Sequence, residues 1–233
     1  RFLEILHYAY KKSPFYKKFY DDAGVDIEAI RGIEDIEKLP VLTKDIVKAN
    51  TKKLLTVPSW ACIIGYTSGT TGSPLKFYSS WESIWWERAC VYSYRKKCGF
   101  TYGKDVLVSL RGNLDTHKTK LWVGVSKTLF LSSYRLNPET TREYFEAIQE
   151  KHPRAIEGYP HSLYSLACNI EEKGLTCHIP LCFTSSENLS KHQREIIEKN
   201  LHTKIFDWYG DSEHTIILAE RISHDGYYEI PGY

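Results

Sequence analysis

The chain opens on a helical period. Phe2, Ile5, Leu6, Ala9 and Tyr10 fall on one face of a helix, and Pro14 and Gly24 interrupt the pattern. A second short helix is expected within "IEDIEKLPVLTKDIVKAN", with Thr43 as its N-cap. Residues 1–58 therefore read as a helical N-terminal region. The texture changes after that point. "ACIIGY" and "LKFYS" have the composition of strands, and "WESIWWERACVYSYRKKCG" reads as a helix closed at Gly99. Short apolar runs then alternate with amphipathic ones. "DVLVSL", "KTLFLS", "AIEGY", "LCFTS" and "KIFDWYG" are the expected strands, and helices are expected over 138–151, 161–173 and 190–200. Alternation of this kind needs right-handed crossovers, so residues 59–233 are expected to form an α/β core with a mostly parallel sheet flanked by helices. In such sheets, ligands sit at the carboxyl ends of the strands.

Composition narrows the picture by exclusion. With 233 residues, 42% of them hydrophobic, the chain can bury a substantial core. A formal net charge of +2 supplies no concentrated basic face for nucleic acid. No apolar run is long enough to span a membrane, and the lysines and tyrosines of "RFLEILHYAYKKSPFY" do not suit a signal peptide. The six cysteines include no CxxC pair, so free thiols of a cytoplasmic protein are expected. Zinc held by Cys177, His178 and Cys182 is the alternative, although that spacing lacks the paired close ligands of structural sites. The chain starts at Arg1 and contains no methionine, which reads as part of a longer protein.

The most unusual stretch is "IIGYTSGTTGSPLKFYSS", Ile63 to Ser80. The seven residues before Pro74 are all Ser, Thr or Gly. Gly69 and Gly72 let the backbone bend and approach a ligand closely. Thr67, Ser68, Thr70 and Thr71 add neutral donors for phosphate oxygens, backbone N–H groups add a nest, and Lys76 adds a cation. A phosphate cradle is one reading; a plain Ser/Thr/Gly turn is the other. The stretch is not a Walker A loop, because Lys76 does not follow a glycine and no helix is expected to open there.

"YTSGTTGSPLK", Tyr66 to Lys76, resembles the phosphate-loop signature of the adenylate-forming superfamily, which includes acyl-CoA synthetases, adenylation domains and luciferases. Leu75 stands where family members often carry lysine. "WYGDSE", Trp208 to Glu213, resembles the family's YGxTE motif with Ser212 in place of threonine. "TSSENLS", Thr184 to Ser190, resembles its short strand-end motif, usually written with two glycines before an acidic or small residue. "SPFYKKFYDDAGVD", "GSPLKFYSS" and "EGYPHSLYSLA" are similar to the phenylacetate–CoA ligase-like branch, close to relatives linked to capsular polysaccharide synthesis.

The resemblance implies ATP-dependent activation of a carboxylic acid as an acyl-adenylate, followed by transfer to CoA. It implies that Thr67, Ser68, Gly69, Thr70, Thr71 and Gly72 wrap the nucleotide phosphates, with Lys76 as a counter-charge and Thr67 and Lys76 close to the chemistry. It implies that Glu213 holds Mg²⁺, that Tyr209 and Gly210 lie against adenine, that Ser212 reaches the α-phosphate, and that Ser186 and Glu187 lie near adenine and ribose. Tyr159, Pro160 and His161 follow an expected strand and are candidates for the acyl pocket. Arg111, His117, Lys118 and Lys120 lie close together in sequence and suit either an anionic substrate or a solvated loop. The family's distal ribose-binding aspartate, hinge and catalytic lysine have no counterpart here, so this chain alone is expected to turn over weakly. Two other classes remain: a nucleotide-binding or regulatory module, and a nucleotide-sugar transferase, for which the chain lacks a DxD-like metal motif.

Overall fold

The computed structural model describes residues 1–66, 74–112, 114, 117–211 and 216–230. The chain divides into two compact units, residues 1–85 and 86–233.

In the first unit, α1 (Phe2–Lys12) and α2 (Pro14–Asp22) meet at Ser13. Ser13 caps α2 by accepting the Tyr16 N–H, and Pro14 occupies the first helical turn, where its missing N–H costs nothing. The buried face agrees with the expected one at Phe2, Leu6 and Tyr10 and departs from it at Ile5. Leu6 packs with Tyr20, Ile27 and Ile30, joined by Phe2, Leu3 and Tyr10. Ile5 is exposed, because the apolar stripe follows positions 3, 6 and 10. A short helix, α3 (Lys44–Asn50), is capped by the Thr43 hydroxyl as expected. β1 (Cys62–Tyr66) and β2 (Lys76–Ser80) pair antiparallel as a two-stranded sheet of their own, from Cys62 opposite Ser80 to Tyr66 opposite Lys76.

α4 (Trp81–Lys97) leads into the second unit and ends before Gly99, whose φ of +97° suits a residue without a Cβ. There, among the described residues, an eight-stranded sheet has the order β10-β9-β8-β7-β6-β3-β5-β4. Its centre is parallel: β5 (Thr128–Leu131), β3 (Leu107–Leu110), β6 (Ala155–Gly158), β7 (Leu181–Ser185) and β8 (Lys204–Gly210). α5 (Pro138–Lys151), α6 (Pro160–Glu172) and α7 (Lys191–Leu201) make the crossovers. Both edges are antiparallel, which the sequence pattern did not reveal: β4 (Lys120–Val123) on one side, β9 (Ile217–Glu220) and β10 (Tyr227–Glu229) on the other.

The strands are buried on both faces. Val108, Leu110, Leu129, Leu131, Ile156, Cys182 and Ile205 pack with Tyr144, Ile148, Leu163, Ile170 and Ile197 of the crossover helices. Leu107, Ala155, Leu181, Phe183 and Phe206 pack with Tyr94 and Phe100 on the other face. Strict alternation along each strand produces the two sets. Gly158 ends β6 where a Cβ would stand 2.9 Å from the Leu110 carbonyl oxygen and 3.1 Å from Leu163, so only glycine lets α6 turn back this closely.

Candidate active site

The carboxyl edge of the parallel strands carries a cleft of about 480 Å³, lined by the turn after β7 and the end of β8. Ser186, Glu187 and Asn188 form one wall, with Tyr209 and Gly210 beyond. Asp207, Trp208, Leu218 and Tyr227 complete it. The Tyr209 ring is 57% exposed at the strand end. A Cβ on Gly210 would meet Trp208 Nε1 at 3.4 Å and the Ile216 carbonyl oxygen at 3.5 Å, which are ordinary contacts. Internal packing therefore does not demand glycine at that position.

Ser186 adopts a φ of +70°, in the left-handed region where a side chain costs energy. The kink turns the chain so that Glu187 reaches α6, and its Oε2 accepts the His161 N–H at 3.1 Å. This contact has a local cause. Tyr159, the residue before α6, offers no side-chain cap, and Pro160 has no N–H. A carboxylate from the neighbouring crossover supplies the cap and faces the positive end of the helix. The structure thus gathers Ser186, Glu187, Tyr209 and Gly210 around one cleft and ties Tyr159–His161 to it through Glu187. Pro160 is buried, Tyr159 half-buried, and the His161 side chain exposed.

Asp207, which the motifs did not single out, is the most constrained group in the wall. It is 7% exposed. The Thr184 hydroxyl donates to Oδ1, and the Tyr227 hydroxyl donates to Oδ2 at 2.7 Å. The backbone N–H of Asp207 donates to Glu220 Oε2, and Arg194 holds the Glu220 carboxylate through contacts of 2.8 and 3.0 Å. A buried carboxylate two residues before Tyr209 is the only local signal of this network, and its partners come from three other elements.

A second buried charge cluster lies on the α4 face. Ser109 and Glu157 are register partners on β3 and β6. Arg95 Nη1 stands 2.6 Å from Glu157 Oε2, and Ser109 Oγ donates to Oε1 at 2.8 Å. Arg95 also donates to the Tyr102 hydroxyl, and its guanidinium lies over the Phe183 ring. Burial by itself would raise the Glu157 carboxyl, but the charges of Arg95 and Arg111 and the Ser109 bond outweigh it and hold it down at about 2.

The basic residues grouped in sequence do not form one cluster. Arg111 turns to Glu157, with Nε 3.6 Å from Oε1, whereas Lys120 starts β4 and pairs with Glu143 at 3.3 Å. His117 and Lys118 are exposed. Lys76 stands in β2 with its ammonium 5.2 Å from the centre of the Tyr78 ring. Thr67, Ser68, Gly69, Thr70, Thr71, Gly72, Ser212 and Glu213 lie outside the described residues. The zinc alternative finds no support in its surroundings. Cys177 and Cys182 are fully buried among aliphatic side chains, burial pushes the Cys177 thiol up to about 11 and raises that of Cys182 as well, and zinc requires thiolates. Among the described residues, no three His, Cys, Asp or Glu side chains are grouped to hold a metal ion. No helix among them is long and apolar enough to cross a membrane.

No protein-family profile matches the chain. Protein CapK of Staphylococcus aureus is 25% identical over 227 residues, covering 94% of this chain and 50% of that protein. Phenylacetate-coenzyme A ligase of Escherichia coli is 25% identical over 222 residues, covering 89% and 49%. Among solved structures, 2-hydroxyisobutyryl-CoA ligase in complex with 2-HIB-AMP and CoA superposes with a TM-score of 0.69 at 18% identity, over 97% of this chain and 52% of that one. The chain spans about half the length of each of these relatives.

Proposed function

From the premise that this chain belongs to the adenylate-forming superfamily, we propose that it carries the nucleotide- and acid-binding part of an AMP-forming carboxylate ligase of the phenylacetate–CoA ligase-like branch. A carboxylate oxygen attacks the α-phosphorus of ATP. A new oxygen–phosphorus bond forms, the bond to the β-phosphate bridging oxygen breaks, and pyrophosphate leaves. The acyl-adenylate then passes its acyl group to a thiol, with CoA as the acceptor, AMP departing with the electron pair of the broken acyl–oxygen bond. The observation that carries this reading is the cleft at the end of β8, of a size suited to a small molecule, lined by Tyr209 and Gly210 of the "WYGDSE" motif and by Ser186 and Glu187. The "TSGTTGSP" motif supports it from the sequence.

In this reading the exposed Tyr209 ring is a stacking surface for adenine, and Gly210 leaves room for the base. The Ser186 kink and Glu187 border the ribose side, while Ser212 reaches the α-phosphate. Thr67 to Gly72 supply hydroxyl and backbone donors to the phosphates, with Lys76 as counter-charge. Tyr159, Pro160 and His161 border the acid. Glu213 offers a hard carboxylate oxygen, the donor chemistry that suits Mg²⁺. When bound, Mg²⁺ supplies positive charge to the phosphate oxygens. The similarity of "GSPLKFYSS" and "EGYPHSLYSLA" to relatives linked to capsular polysaccharide synthesis supports a role in polysaccharide biosynthesis, and a cytoplasmic setting belongs to the same reading.

The test is ATP–pyrophosphate exchange by the full-length protein across a panel of carboxylic acids. Exchange should depend on at least one acid. Gly72→Val should abolish it in a folded protein, because a β-branched side chain obstructs the close approach of phosphate. Glu213→Gln should lower it by roughly tenfold or more, about 1.4 kcal/mol. Absence of exchange with every acid, or indifference to both substitutions, rejects the proposal.

A further inference from the structure

The charge cluster around Glu157 is unbalanced. Among the described residues, two arginines face one carboxylate, and the carboxylate is already taken. Arg95 bonds to Oε2 and Ser109 to Oε1, whereas Arg111 Nε stands 3.6 Å from Oε1, beyond hydrogen-bond range. Arg111 Nε is buried and has no hydrogen-bond partner among the described residues. An arginine that only braced a core would spend its planar fork on a carboxylate. This one leaves a net positive charge, with its side chain 27% exposed, at the carboxyl edge of the sheet.

Its placement is fixed from several sides. Arg111 directly follows β3, its N–H donates to the Leu131 carbonyl oxygen at 3.2 Å, and its own carbonyl oxygen accepts the Ser133 N–H. Its guanidinium carbon lies 6.0 Å from the centre of the Tyr159 ring, which directly follows β6. Tyr159 in turn opens the Tyr159–His161 turn on which the acid is expected to rest. A partly buried cation beside that turn, whose nearest carboxylate among the described residues is already satisfied, is suited to an anion from outside the protein.

We propose that Arg111 binds a second carboxylate on the acid substrate, so that the protein selects a dicarboxylic over a monocarboxylic acid of the same chain length. The inference rests on the carboxylate-ligase reading and names the substrate class of that site. One carboxylate reacts with ATP, and the other pairs with the Arg111 fork and remains unchanged.

The experiment uses the full-length protein with succinate, glutarate and adipate set against butyrate, valerate and hexanoate. Calorimetry measures binding, and ATP–pyrophosphate exchange measures kcat/KM, for the native protein, Arg111→Gln and Arg111→Lys. The native protein should prefer one of the diacids to its monoacid partner. Arg111→Gln should weaken diacid binding and kcat/KM by about 10- to 100-fold, the worth of a charge-assisted pair, and leave the monoacid within about twofold. Arg111→Lys keeps the charge without the fork and should fall between, which keeps the proposal decidable if the glutamine variant fails to fold. A native preference for monoacids, or equal losses for both classes in either variant, overturns it. If no acid supports exchange, the ligase reading fails, and calorimetry still decides this one: no diacid binding, or diacid binding unchanged by either substitution, overturns it.

Discussion

Glu157 shows what a single buried charge does to the stability of this fold. Its carboxyl is held at about 2, because Arg95 and Arg111 outweigh the cost of burial. In the unfolded chain the same group titrates near 4.3, roughly the value of a free glutamate. Between those two values the unfolded state binds the proton and the folded state does not, so stability rises with pH across that window. The contribution is fully present above the unfolded value and is lost as pH falls toward 2. Urea unfolding of the native protein and of Glu157→Gln, followed from pH 6 to pH 2.5, should show a gap that is widest at the upper end and narrows on acidification. At neutral pH the gap should be about 3–5 kcal/mol, since the substitution leaves Arg95 buried without its counter-charge. A gap that does not change with pH would mean that Glu157 contributes shape alone.

Among the elements, the turn between β7 and α7 joins the candidate site to the scaffold. Ser186 stands at φ +70°, and this explains why the related motif is usually written with glycines: the bend puts one residue into the left-handed region. The bend delivers Glu187 to the first turn of α6, which has no cap of its own. Two outcomes follow from this geometry. Ser186→Gly should be tolerated, whereas Ser186→Val should cost about 1–2 kcal/mol in thermal or urea unfolding, because a β-branched residue resists that conformation. Glu187→Ala should speed hydrogen exchange at the His161 amide and leave exchange in the middle of α6 unchanged. Equal protection of His161 in the variant would show that the helix end is held by something other than this carboxylate.

At the scale of the whole molecule, the two-faced sheet of the second unit also sets the reactivity of the thiols. Cys90, Cys177 and Cys182 are buried, whereas Cys62, Cys98 and Cys168 are partly exposed. Burial holds the Cys182 thiol in its protonated, unreactive form. Labelling of this chain without reductant should reach Cys62 and Cys168 first, Cys98 more slowly because burial pushes its thiol up to about 11, and all six after denaturation. Fewer than six in the denatured chain would reveal a disulfide or a retained metal. The sequence by itself determined the central elements and the motifs they carry. The apolar runs of the five central strands, the helical period of the crossovers, and the hydroxyl- and glycine-rich stretch before Lys76 are local patterns, and local patterns are what periodicity and motif spacing record. Only the tertiary structure decided which distant residues meet. Lys120–Val123, Ile217–Glu220 and Tyr227–Glu229 stand outside the strand–helix alternation that marked the central strands, and they became strands by pairing antiparallel at the sheet edges. The order β3-β6-β7-β8 laid Thr184 beside Asp207 and Ser109 beside Glu157, and packing against that sheet brought Arg95 and Tyr227 to those carboxylates. Charges of this kind are tolerable in a core only once their partners have arrived from other elements, and no spacing along the chain encodes that arrival.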